Sequence, residues 1–146
     1  MSQHQNQIEL LAALDSILAA TGASVGTIHV LPQGSSVLEI RAHRGLPAAV
    51  LDRVARVPIG KGMAGLAAER REAVQVCNLQ TDSSGVARPE ARQTGSRGSI
   101  AVPIFKDGAV CGVLGVGRSD EHEFTETEKS VLARIAAALA PHIQPA

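Results

Sequence analysis

Ser99-Ile100-Ala101-Val102-Pro103-Ile104-Phe105-Lys106-Asp107-Gly108-Ala109-Val110-Cys111-Gly112-Val113-Leu114-Gly115-Val116-Gly117 is the stretch on which the fold turns. Two β-rich runs flank Lys106-Asp107-Gly108, and Asp-Gly supplies the positive φ that a tight hairpin turn needs. Residues 99–105 and 109–117 therefore read as an antiparallel pair. Successive side chains of a strand point to opposite sides of its sheet, so each face can be read by parity. Ile100, Val102, Ile104, Val110, Leu114 and Val116 make a bulky face, suited to packing on helices at roughly 1.5–3 kcal/mol per buried side chain. Ser99, Ala101, Pro103, Cys111, Val113, Gly115 and Gly117 make a face too small to fill the space beneath its cover. A ligand pocket on that side is the natural expectation.

Outward from this hairpin, the chain alternates short elements with turn residues. Ile8, Leu11, Leu14 and Leu18 recur at spacings of three and four, so residues 5–21 read as an amphipathic helix stopped by Gly22. Residues 24–31 and 36–43 are β-branched segments joined by Pro32-Gln33-Gly34, a second hairpin. Residues 45–51 look like a short helix, Val57-Pro58-Ile59 an extended bridge, residues 62–70 a second short helix and residues 73–77 a brief strand. The polar stretch 78–98, rich in Gly, Ser and Pro, reads as a lid. Thr125 with Glu128 forms a capping box for a last helix, with Val131, Leu132, Ile135 and Leu139 on one face and its end near Pro141. The expected architecture is α+β. Residues 1–146 form one domain: an N-terminal helix in 1–22, sheet and pocket in 24–117, and a C-terminal helix in 125–142. An antiparallel sheet of five to six strands carries the terminal helices on one face and the short helices and lid on the other.

Composition narrows the function classes. The chain is 45% hydrophobic with 14 basic and 14 acidic residues, so the positive field that nucleic acid or anionic membranes select is missing. Phe105 and Phe124 are its whole aromatic content, which excludes a site stacking planar rings between aromatic side chains. Cys77 and Cys111 show no CxxC or Cys/His spacing, so no structural zinc is expected. No run approaches the roughly 18 apolar residues that cross a bilayer, and the first helix lacks the basic flank of a signal peptide. A cytoplasmic protein is expected, without metal or cofactor.

Two motifs are decoys. Gly60-Lys61-Gly62-Met63-Ala64-Gly65 satisfies GxGxxG, with Asp82 downstream, but it follows Pro58 rather than a buried parallel strand. Its glycines instead allow tight entry into a helix whose free N–H groups could face the pocket and favour an anion. Gly22-Ala23-Ser24-Val25-Gly26 spells GxSxG, yet a helix precedes it and a strand follows, the reverse of a nucleophile elbow. His29, on a strand, reads as a sheet histidine with a satisfied ring, since no second metal ligand stands at useful spacing. His43, at a strand end, is placed on the pocket rim. Arg88, Arg92 and Arg97 lie in or beside the lid, and a guanidinium turned inward would grip a carboxylate or phosphate in bidentate fashion.

The ordered pieces Arg44-Gly45-Leu46-Pro47, Pro58-Ile59-Gly60-Lys61-Gly62-Met63-Ala64-Gly65, Arg97 ahead of Ile100-Ala101-Val102-Pro103-Ile104, Gly112-Val113-Leu114-Gly115-Val116 and Phe124-Thr125 resemble a GAF domain over nearly the whole chain. The resemblance implies a sheet with terminal helices on one face and a small-molecule pocket on the other, a homodimer paired through those helices, and a signalling protein as partner. The Asn-Lys-x-Phe and Asp-Glu signature of cyclic-nucleotide binders does not occur, and a tetrapyrrole would need a larger, aromatic pocket. The single-domain free methionine-(R)-sulfoxide reductases are the nearest enzymes of this type. Their cysteines would fall at Ala64 and near Arg92, and their site carboxylates at Ser99, Gly115 and Gly117, so the chemistry of that subgroup is not carried over. The expected function is a sensor of a small anionic or zwitterionic metabolite, bound by Ile28, His43, Gly62, Met63, Ala64, Arg92, Arg97, Ser99, Ala101, Cys111, Val113 and Gly115. The alternatives are a dimerisation or docking module without ligand, and a divergent reductase using Cys77 or Cys111.

Overall fold

The computed structural model describes residues 3–143. In chain order it contains α1 (Gln3–Thr21), β1 (Val25–Val30), β2 (Val37–Arg44), α2 (Ala48–Val54), β3 (Arg56–Pro58), α3 (Gly62–Arg70), β4 (Val74–Val76), β5 (Ser99–Lys106), β6 (Ala109–Gly117) and α4 (Glu126–Leu139). One 3-10 turn, Pro89–Thr94, lies in the stretch between β4 and β5, and another, Ala140–His142, follows α4. The strands form one six-stranded sheet in the order β3-β2-β1-β6-β5-β4, and every neighbouring pair is antiparallel. This is an α+β fold with the strand number at the upper end of expectation, because the bridge around Val57 is hydrogen-bonded to β2 as a true edge strand.

The β5–β6 hairpin turns on Asp107 and Gly108, with φ of +53° and +80°, as the Asp-Gly pair dictates. Ile100, Val102, Ile104, Leu114 and Val116 point to the side of α1 and α4, where they bury against Leu10, Leu14, Ile17, Phe124, Leu132 and Leu139. The parity reading fails at one place. The register slips between Ile104 and Phe105, so Ile104 faces Gly112 while Phe105 faces Val110. A bulge inserts an extra residue and shifts everything beyond it by one. Val110 accordingly packs against the opposite cluster and Cys111 against the helix side, the reverse of the sequence expectation. The second cluster, on the other face, is built from Leu38, Val57, Ala67, Ala68, Val74, Ala101 and Val113, and it is mostly small.

The first short helix begins later than expected, at Ala48. Gly45 takes φ +78° where a Cβ would run into the Ser24 carbonyl, and Pro47 stays extended as the N-cap, so residues 45–47 form the corner before the helix. Helix α4 starts as its sequence demands. The Thr125 hydroxyl accepts from the Glu128 amide at 3.1 Å, and the Glu128 carboxylate accepts from the Thr125 amide at 2.8 Å.

Candidate functional site

Between the small face of the sheet, α3 and the lid lies a cavity of about 150 Å³. Its sheet wall is Val25, Thr27 and His29 from β1, Ser99, Ile100 and Ala101 from β5, and Gly115, Val116 and Gly117 from β6. The glycines of β6 make room on this wall for the side chains of Thr27 and Ser96. A Cβ on Gly115 would strike the Thr27 hydroxyl, and one on Gly117 would strike the Ser96 hydroxyl. The cover is Gly62, Met63 and Ala64 from the first turn of α3, with Leu46, Val54 and Val57 beside them and Leu79, Arg88, Thr94 and Ser96 from the lid. An apolar cavity of about this size admits a benzene ring, so the space suits a small metabolite.

Most of the wall is aliphatic, and its polar groups are few. His29 is buried in mid-strand, and its Nε2 lies 2.8 Å from the Val54 carbonyl at the end of α2. Its other ring nitrogen, Nδ1, is buried without a hydrogen-bond partner among the described residues, as is the Ser96 hydroxyl. A buried polar atom left unpaired costs roughly 1–3 kcal/mol, and both of these stand on residues that border the same cavity. Burial pushes the His29 imidazole below its ordinary pKa, with the Val54 carbonyl partly opposing it, so the ring is held neutral. Among the described residues, Arg88 is the one lining side chain with a fixed charge, and its stem lies 3.0 Å from where a Cβ of Gly62 would sit. The first amides of α3 have no intrahelical acceptor and add a weak positive field on the same wall.

Of the residues expected from sequence, Gly62, Met63, Ala64, Ser99, Ala101 and Gly115 meet at this cavity. Ile28 points instead into the helix-side core, because it sits opposite Leu114 and shares its face. Val113 is fully buried in the small-residue cluster, outside the lining. His43 is half-buried opposite Thr27, beyond the cavity wall. Arg92 spends its guanidinium on the lid itself, donating to the Leu79 carbonyl at 3.1 Å and the Asp82 carbonyl at 2.7 Å. Arg97 is exposed, while its backbone tethers the lid to Arg118 and Leu79. Cys111 lines a different hollow beside the β5–β6 turn, with Leu31, Lys106 and Ile143, and Cys77 is exposed. Sequence reasoning missed His29, Thr27 and Ser96 as lining residues. The alternation Val25, Thr27, His29 against Ile28, Val30 was the available signal, but its sense depends on the pairing of β1 with β6.

A family model described as the GAF domain matches residues 7–144. No curated protein matches the chain. Among solved structures, the chain is similar to a type II free methionine-R-sulfoxide reductase from Thermoplasma acidophilum, with TM-score 0.79 and 18% identity over 97% of this chain and 94% of that one. It is also similar to the GAF domain of a phosphoenolpyruvate-protein phosphotransferase from Coxiella burnetii, with TM-score 0.80 and 22% identity over 94% and 82%. A third similar structure is the GAF domain region of a putative membrane protein from Geobacter sulfurreducens PCA, with TM-score 0.81 and 20% identity over 95% and 93%. At these identities the likeness concerns the fold.

Proposed function

The chain belongs to the GAF domain family, and from that premise we propose that it is a small-molecule sensor whose cavity under the lid holds an anionic metabolite. The observation that carries this reading is the pair of unpartnered buried polar atoms, His29 Nδ1 and Ser96 Oγ, on the wall of one hollow. A filled, purely structural interior gains nothing by burying two such groups around one space. A binding site does, because the ligand completes them. The charge of Arg88 and the first turn of α3 favour an anion.

A reductase is less well supported. Neither thiol borders the cavity, and among the described residues its wall contains no acidic side chain. The reading extends to a homodimer paired through α1 and α4, to a signalling partner that senses the change, and to a cytoplasmic setting, which suits two unpaired cysteines. No described helix is long and apolar enough to cross a membrane.

A thermal-shift screen of small carboxylates and phosphates tests the binding. A ligand at 100 times its dissociation constant adds about 2.7 kcal/mol, which is a clear upward shift of the melting temperature for a domain of this size. That shift is expected to disappear in Arg88→Met. A flat response across the whole panel, in wild type as in the variant, removes the reading.

A further inference from the structure

One ring nitrogen of His29 limits what can face it. The pairing of β1 with β2 slips beside this residue, with Ile28 opposite Ala42 and His29 opposite Ile40, so Arg41 is the extra residue of a bulge. The backbone groups around it are served by the fold. The Arg41 carbonyl accepts from Gln7 Nε2 at 2.9 Å, and the Val54 carbonyl, at the end of α2 where no intrahelical donor remains, lies 2.8 Å from His29 Nε2. A carbonyl oxygen only accepts, so the hydrogen of the neutral imidazole sits on Nε2, and Nδ1 presents a bare lone pair. Nδ1 has no partner among the described residues, on a residue 4% exposed that borders the cavity.

The lining hydroxyls are less selective. Thr27, two residues from His29 on the same strand, and Ser96 can each donate or accept, so they serve ligands of either kind. A lone pair at Nδ1 repels an acceptor oxygen, and against a methyl group it stays desolvated at the cost of a missing hydrogen bond. We propose that the cavity selects alcohols, lactams and N–H heteroaromatics of about one ring in size, and that His29 Nδ1 is the acceptor that distinguishes their O–H or N–H group from the oxygen of ketones, lactones and ethers of the same shape. A hollow of about 150 Å³ has room for one such ring. The assignment rests on the reading of this cavity as a ligand site, and it holds for neutral and anionic ligands alike. The aliphatic part of the ligand packs against Val25, Val54, Val57 and Leu79.

Neutral rings of matched shape separate donor from acceptor: pyrrole with furan, cyclopentanol with cyclopentanone, and pyrrolidone with butyrolactone. Protein labelled with nitrogen-15 in histidine is titrated with each. Without ligand, the imidazole correlations of His29 are expected to show a protonated Nε2 and a bare Nδ1. The donor of each pair is expected to bind about ten-fold more tightly than its acceptor partner and to move the Nδ1 resonance. A protonated Nδ1 in the free protein overturns the proposal. So does a donor preference that leaves Nδ1 unmoved, because the hydroxyl of Thr27 or Ser96 then reads the ligand. Equal or tighter binding of the acceptor partners removes the donor assignment and leaves the cavity standing as a ligand site. Rings that perturb no cavity residue also remove the assignment, while the screen of carboxylates and phosphates decides the ligand-site reading separately.

Discussion

Ser96 and His29 each carry into the interior a polar atom that water satisfied in the unfolded chain. For Ser96 the consequence is direct. Ser96→Ala removes the buried, unpartnered hydroxyl and leaves the small side chain that Gly117 accommodates. The ligand-free protein is expected to gain about 1 kcal/mol of stability, read as a higher urea midpoint at unchanged slope, while the thermal response to ligand shrinks. A midpoint that falls by a similar amount would show that the hydroxyl already has a structural partner. His29 adds a pH term. Its folded pKa lies below the ordinary value of about 6.5, so below that pH the unfolded chain binds the proton first. Its contribution is complete above about pH 6.5 and is lost as pH falls toward the folded value. The urea midpoint is expected to drop between pH 7.5 and 5.5, and His29→Gln, which retains an amide donor for the Val54 carbonyl, is expected to flatten that drop. An equal decline in the variant would place the titrating group elsewhere.

At the scale of elements, α4 depends on its first turn. Thr125→Ala deletes the hydroxyl that accepts from the Glu128 amide, and the expected cost is about 1 kcal/mol, measurable by denaturant unfolding. Glu128 contributes in another pH window. The Thr125 amide, and then His122, hold its carboxyl below the usual range despite partial burial. Its share of stability is present above roughly pH 4.5 and is lost as pH falls through the depressed value, separate from the His29 step. The capping box was legible because its partners stand three residues apart. So was the β5–β6 hairpin, whose turn and alternation lie within one contiguous segment. The positions of Val110 and Cys111 were not legible, because a bulge is a property of pairing rather than of either strand alone. The inward aspect of His29 was hidden for a related reason. Ile28 and His29 exchange faces with a one-residue slip, and the pairing that fixes them, Ile28 with Leu114, joins strands far apart in the chain. Among the lid arginines, sequence could count three candidates, but only the path of the 3-10 turn decides that Arg88 borders the cavity while Arg92 binds lid carbonyls.

For the whole molecule, the decisive feature is that one sheet serves two interiors. Ile100 and Val116 belong to the core beneath α1 and α4 and also border the cavity under the lid, so a change on one side reaches the other through shared residues. Strand β1 does the same by alternation, with Ile28 toward the helices and Thr27 and His29 toward the cavity. On the proposed sensor reading, a ligand that orders the lid stiffens the layer on which the terminal helices rest. Amide exchange is expected to slow on ligand addition in β1, β5 and β6 as well as in the lid, and to slow in α1 and α4 to a smaller degree. Protection confined to the lid would separate binding from any helix-borne output. The proposed pairing of two copies through those helices has its own check, because α1 turns a large aliphatic side chain outward: Ile8 is 47% exposed although its neighbour Leu10 is fully buried. Burying such a side chain against a second copy contributes roughly 1.5–3 kcal/mol per protomer, and a carboxylate there would be desolvated without a partner. Ile8→Glu is expected to lower the dimer fraction in sedimentation equilibrium by at least about ten-fold in association constant, with the melting temperature of the monomer unchanged. A wild-type chain that sediments as a monomer at every concentration, or a variant that associates as strongly, would move the output of the proposed sensor away from α1.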